Sequence, residues 1–164
     1  MFDIVFLGGT IIDGTGSSRR RADLGITGGQ ITAIGDLSAA EARERIDATD
    51  QVVAPGFIDI HTHSDLPLLI NPRAESKIRQ GVTTEVIGNC GYSPAPLAGP
   101  FRDQVRQLSA FLAKGAAELP WDWSSLGDYL ALLDGQGTAV NVVPLAGHLT
   151  IRAVAMGFEQ RRPT

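Results

Sequence analysis

Apolar positions at the start of the chain come in short β-branched runs punctuated by glycine. Asp3 to Leu7 reads as a strand, Gly8-Gly9 breaks it, and Thr10-Ile11-Ile12-Asp13 resumes it before Gly14-Thr15-Gly16. Ala22 to Ile26 and Gln30 to Ile34 flank Gly28-Gly29, which predicts a hairpin. Glu41 to Arg45 reads as a charged, exposed stretch. Ile46 to Val53 predicts another strand, and Pro55-Gly56 closes this opening layer. Residues 1–55 are therefore expected to form a small β-rich domain.

After Gly56 the pattern changes. Phe57-Ile58-Asp59-Ile60 predicts a compact strand ending at His61, and a helical stretch follows near Ala74 to Arg79, stopped by Gly81. Val82 to Ile87 predicts a second buried strand that leads into Gly88-Asn89-Cys90-Gly91. Two helices come next. Phe101, Val105, Leu108 and Phe111-Leu112 recur at helical spacing, as do Leu126, Tyr129-Leu130 and Leu133. Ser125 with Asp128 three places on has the form of a capping box. Ala139 to Leu145 predicts a third strand with Gly147-His148 at its end, and Thr150 to Met156 begins another helix. Strand, helix, strand, helices, strand is the signature of an α/β fold, a parallel sheet with both faces covered.

Composition narrows the function classes. With 43% hydrophobic residues among 164, the chain can bury a core, and its 19 glycines suit a sheet-containing fold with many turns. The net charge of −4 arises from mixed signs without a basic stripe, which argues against nucleic acid and anionic membrane as partners. No apolar run nears the roughly 18–20 residues of a membrane span. Met1-Phe2-Asp3-Ile4-Val5 lacks a cationic start before a long apolar stretch, so the cytoplasm is the expected location. The single cysteine, Cys90, forms no internal disulfide; its thiol is free, buried or bound to metal.

The candidate chemistry lies where these strands end. His61 and His63 are one residue apart, and alternate side chains of a strand share a face, so both imidazoles can converge on one ion. Asp65 continues the polar cluster, either orienting a ligand histidine or merely solvated. Cys90 follows the second strand and His148 the third. Taken singly, each has an ordinary reading: His-x-His is a weak signal, a lone cysteine is commonly a small buried hydrophobe, and a lone histidine a packing or capping residue. Together they are scarce ligand-type residues at one end of three strands, the face where barrel enzymes place their catalysis. Imidazole and thiolate suit a borderline-soft ion such as zinc.

Val53-Ala54-Pro55-Gly56-Phe57-Ile58-Asp59-Ile60-His61-Thr62-His63-Ser64-Asp65 resembles the first barrel strand of the amidohydrolase superfamily, in which a small β-domain precedes that strand. Within it, Gly81 to Gly91, ending Gly88-Asn89-Cys90-Gly91, is similar to the N-acyl-D-amino-acid deacylases (D-aminoacylases). So are Asn141 to His148 and Arg152 to Gly157. The resemblance implies a β-sandwich-type domain over residues 1–55. Over residues 56–164 it implies the first three βα units of a metal-dependent (β/α)8 TIM barrel, which takes about 250 residues in full.

Residue by residue, the resemblance implies His61 and His63 as metal ligands, with Cys90 as a ligand able to serve or bridge a second position. It implies one or two zinc ions and a small-molecule N-acyl-D-amino acid substrate. Two further metal-binding histidines and a catalytic aspartate are expected beyond Thr164, with Thr164 itself a helix N-cap, so this chain by itself is expected to be catalytically silent. His148 is a candidate active-site residue at the mouth of the site rather than a ligand. The competing readings are a cyclic-amide hydrolase of hydantoinase or dihydroorotase type, a non-catalytic metal-binding domain, and a purely structural βα domain.

Overall fold

A computed structural model describes residues 1–110 and 113–163, and the chain divides into two units, Met1–Pro55 and Gly56–Thr164. Phe111-Leu112 of the first predicted long helix and the expected N-cap Thr164 lie outside the described residues. In the first unit β1 (Phe2–Ile11) pairs antiparallel with β2 (Arg20–Thr27), and β2 pairs antiparallel with β3 (Gln30–Gly35) across the Gly28-Gly29 turn. β4 (Ala42–Asp47) and β5 (Val52–Val53) run parallel to β1 one after the other, against its Phe2–Leu7 and Thr10–Ile11 portions. Val5, Ile11, Leu24 and Ala48 are buried.

Two expectations change here. Gly8-Gly9 does not break the strand: β1 continues through it, and its register with β2 shifts between Phe6 and Gly9. That irregularity frees the Gly8 N–H to donate to Asp23 Oδ1 at 2.7 Å. The Glu41 to Arg45 stretch supplies most of β4, whereas Ile46 to Val53 is split by a turn over residues 48–51. Among the described residues β4 pairs only with β1, so its charged side chains reach water while its backbone still bonds.

In the second unit β6 (Phe57–Asp59), β7 (Val82–Ile87) and β8 (Asn141–Pro144) form a parallel sheet in that order. Among the described residues this sheet is open and does not close into a barrel. Two single-turn helices, α1 (Pro67–Ile70) and α2 (Glu75–Ile78), connect β6 to β7. α3 (Arg102–Ala110) and α4 (Leu126–Gln136) connect β7 to β8, and α5 (His148–Met156) follows β8. The Ser125–Asp128 capping box is formed in full at the start of α4. α5 begins at His148, two residues before the predicted start, with Gly147 as its N-cap.

Among the described residues the sheet is not covered on both faces. Ile87 and Val142 pack into the cluster that the helices share, but on the opposite face Ile58 is 63% and Val143 47% exposed. A continuous apolar run says that a strand can be buried on both sides, not which neighbour does the burying.

Trp121, Trp123 and Tyr129 are the largest fully buried side chains. The two indoles stack with centroids 5.1 Å apart at 25°, and Tyr129 meets Trp123 edge-on at 6.0 Å. The polar tips of Tyr129 and Trp123 reach the segments that follow the strands, while Trp121 Nε1–H donates to the Ala116 carbonyl. The Tyr129 hydroxyl donates to the Asp65 carbonyl at 2.6 Å, and Trp123 Nε1–H donates to the Pro94 carbonyl at 2.8 Å. Packing thus anchors the segment after β6 and the segment after Cys90 from one aromatic cluster.

Two glycines let backbones touch at this end of the sheet. A Cβ on Gly88, already at φ +80°, would collide with the Leu145 carbonyl oxygen. Gly147 has an ordinary φ of −71°, yet a Cβ there would collide with the Gly91 carbonyl and the Tyr92 backbone. Gly147 thus lets the start of α5 approach the adjoining Cys90 loop. Ser93 completes the clasp: its hydroxyl accepts the Gly147 N–H at 3.0 Å, and its N–H donates to Thr150 Oγ1 at 2.9 Å.

Two stability predictions follow from these contacts. Tyr129→Phe keeps the ring but strands the buried Asp65 carbonyl, and should lower unfolding free energy by about 1–3 kcal/mol in urea titrations. Gly147→Ala should cost a comparable amount, roughly 1–3 kcal/mol, because the added methyl must push the Cys90 loop away. An unchanged urea midpoint in either variant would contradict the packing described.

Candidate metal centre

His61 lies two residues beyond β6, Cys90 three beyond β7, and His148 opens α5 after β8. The strand itself ends at Asp59, short of the histidines, and the chain bends at Ile60 and His61; beyond the bend His61 and His63 are exposed and Thr62 between them is buried. A ladder-like bond explains this. Thr62 N–H donates to the Val86 carbonyl at 3.2 Å, and the Thr62 hydroxyl donates to the same oxygen at 3.1 Å. With Thr62 turned inward, both imidazoles face outward, their ring centroids 5.8 Å apart and 64° from parallel.

Cys90 is brought to them by a tight 3-10 turn, Asn89–Gly91. Asn89 Nδ2 donates to the Val86 carbonyl at 2.8 Å and to the Thr62 carbonyl at 3.3 Å, bridging the two segments that carry the candidate donors. Cys90 itself sits at φ +55°, a left-handed conformation that costs a non-glycine residue roughly 1–2 kcal/mol. Strain of this kind gathers at sites that grip ligands. Its Sγ stands 3.1 Å from His61 Nε2. His61, His63 and Cys90 each offer one donor atom, and these atoms all lie within 4.8 Å of one another.

This donor set fits a borderline-soft divalent ion. Donors on one tetrahedral zinc, bound at about 2.0–2.3 Å, lie roughly 3–4 Å apart, and two imidazoles with a thiolate are ligands zinc favours. The three side chains are exposed, so an ion can reach them. His148 is exposed at the first position of α5 and does not belong to this cluster.

Asp65 is neither solvated nor hydrogen-bonded to a histidine ring among the described residues. It is 8% exposed, and its Oδ1 accepts the Gly88 N–H at 2.8 Å, tying the end of β6 to the start of the Cys90 turn. Burial pushes its carboxyl up to about 6, against the pull of backbone N–H groups, Gly88 among them.

Sequence reasoning overlooked a second polar group beneath the histidines. Lys77 Nζ lies 2.7 Å from Asp59 Oδ2 and 3.1 Å from Glu85 Oε1, and Glu85 Oε1 also accepts the Ser64 hydroxyl at 2.8 Å. The Lys77 hydrogen bond, helped by the His61 N–H, holds the Asp59 carboxyl below the usual range. The available signal was Glu85, a charge inside the otherwise uncharged strand Val82–Ile87, because a buried carboxylate requires a partner.

Among the described residues no helix is long and apolar enough to cross a membrane. Residues 44–162 match the model of the Amidohydrolase family. The chain is 47% identical over 163 residues to D-aminoacylase of Alcaligenes xylosoxydans xylosoxydans, covering 99% of this chain and 32% of that protein. It is 44% identical over 164 residues to N-acyl-D-glutamate deacylase of the same organism, again covering 99% and 32%. In structure it is similar to N-acyl-D-glutamate deacylase from Bordetella bronchiseptica complexed with zinc and a phosphonate mimic of the tetrahedral intermediate. That match has a TM-score of 0.86 and 44% identity, over 99% of this chain and 33% of that one. The chain thus spans about a third of the length of the relatives it matches. With the family model matching most of its length and deacylase relatives along nearly all of it, the chain belongs to the amidohydrolase family.

Proposed function

We propose that the whole protein hydrolyses the amide bond of N-acyl-D-amino acids, releasing a carboxylate and a free D-amino acid. In this reading His61, His63 and Cys90 hold zinc. The observation that carries it is the convergence of those three donors within 4.8 Å at the ends of two parallel strands, in a chain 44–47% identical to deacylases of this substrate class. Zinc held there supplies a Lewis acid that polarises the amide carbonyl and lowers the pKa of water. The protein's own contribution is preorganisation. Thr62 turns the two imidazoles outward, Asn89 ties their segment to the cysteine turn, and Asp65 joins the two strand ends.

Three further readings accompany this one. The parallel sheet is the opening of a (β/α)8 barrel, supported by the exposed apolar face of Ile58 and Val143, which a barrel would turn to its interior. His148 lies at the mouth of the site, supported by its place on the helix after β8 and by the clasp between Gly147 and the Cys90 loop. A cytoplasmic setting suits an exposed thiol that must stay reduced to bind metal.

The test uses the whole protein with zinc supplied. Release of D-amino acid from N-acetyl-D-glutamate, N-acetyl-D-aspartate and N-acetyl-D-methionine is expected, with no hydrolysis of hydantoins; the reverse pattern would make it a cyclic-amide hydrolase. His61→Ala with His63→Ala should lower the bound zinc measured by elemental analysis, and unchanged zinc would refute the ligand assignment. Cys90→Ser should lose zinc about 10–100-fold more readily while far-UV circular dichroism stays near wild type. If it keeps full zinc and full activity, Cys90 is a packing residue. His148→Ala should change kcat or KM, and if both are unmoved the histidine is structural.

A further inference from the structure

We propose that Lys77 is a positioning residue of the metal centre, its single ammonium group holding the two carboxylates that fix the flanks of the His61–His63 segment. This rests on the metal reading above. On one flank, Asp59 Oδ1 accepts the His61 N–H at 3.3 Å while Asp59 Oδ2 meets Lys77 at 2.7 Å. On the other flank, Glu85 Oε1 accepts the Ser64 hydroxyl at 2.8 Å and meets Lys77 at 3.1 Å. Register explains the geometry: Asp59 and Glu85 are opposed partners of the β6–β7 ladder, so their side chains leave the same face. Without a cation between them two carboxylates would repel, and neither would keep its second bond.

The arrangement is an expensive way to fill space. The Glu85 side chain is 1% exposed, and its Oε2 is buried without a hydrogen-bond partner among the described residues. An apolar residue at that place in β7 would avoid the desolvation of a carboxylate. What an apolar residue lacks is direction. A carboxylate with two acceptor oxygens can hold a hydroxyl on the neighbouring segment at a set distance, and Lys77 then couples that restraint to the one at Asp59. Outer partners of this kind set the orientation of ligand side chains, and their removal lowers metal affinity without removing a ligand.

The experiment loads the whole protein with zinc and follows its loss to excess chelator, alongside the visible spectrum of the cobalt-substituted protein. Lys77→Met should release zinc about tenfold faster and alter the cobalt bands, whereas Lys77→Arg, which keeps the cation, should stay within about threefold of wild type. Ser64→Ala removes only the hydroxyl between Glu85 and the histidine segment, leaves all three charges in place, and should also speed release several-fold. It decides the matter if Lys77→Met does not fold. Wild-type release rates and cobalt bands in Ser64→Ala and in any folded Lys77→Met would overturn the proposal and leave the network a fold element. So would Lys77→Arg losing zinc as fast as Lys77→Met. If His61→Ala with His63→Ala keeps its zinc, the metal reading itself fails, and this inference with it.

Discussion

Parallel pairing of β6 with β7 is the constraint on which the candidate centre rests. It brings His61 and Cys90, 29 residues apart in sequence, to a donor separation of 3.1 Å. The pairing continues past the last regular strand residue through the bonds from Thr62 to the Val86 carbonyl. The Asp65 carboxylate then closes the gap between the two strand ends by accepting the Gly88 N–H. Each bond is modest in free energy, about 1 kcal/mol net. Their effect is geometric, because they leave few arrangements in which the three donors could stand elsewhere.

Around that pairing the second unit uses two kinds of matter differently. Apolar bulk, chiefly Trp121, Trp123 and Tyr129, gives the helices a cluster to share, and the polar tips of Tyr129 and Trp123 end on the Asp65 and Pro94 carbonyls. Close packing resists displacement in every direction, so an anchor on such a cluster stays put. Backbone contact does the complementary job at the opening. Gly88 and Gly147 allow the Cys90 turn to lie directly against the residues after β8, where any side chain would hold the segments apart. Cys90 accepts a left-handed backbone within that clasp.

The charged group formed by Asp59, Lys77, Glu85 and Ser64 lies on the helix-facing side of the sheet, under the histidine segment. It connects strand, helix and loop in one set of contacts, since Lys77 belongs to α2, Asp59 and Glu85 to neighbouring strands, and Ser64 to the segment just after His63. Membership of the amidohydrolase family is consistent with candidate donors at the strand ends. It does not by itself say how a particular chain steadies them, and here the steadying groups are charges as well as packing.

By itself the sequence determined the three parallel strands and the longer helices of the second unit, the capping box at Ser125–Asp128, the hairpin at Gly28-Gly29, and the placement of His61, His63 and Cys90 just past the first two of those strands; it did not anticipate α1 or that His148 opens α5. These are local matters, settled by periodicity, turn chemistry and spacing within a dozen residues. Tertiary structure decided the rest. Whether Gly8-Gly9 ends β1 or lets it continue depended on the neighbouring β2, and whether Glu41 to Arg45 is loop or strand depended on the free edge of β1. The site of Asp65, the partner of Gly147 and the ring of contacts about Lys77 all depend on residues 23 to 64 positions away or on adjacent strands, and no local pattern records them. Burial turns a loop carboxylate into a tie between strands only once the strands have met, so its role is a property of the fold and not of its neighbours in sequence.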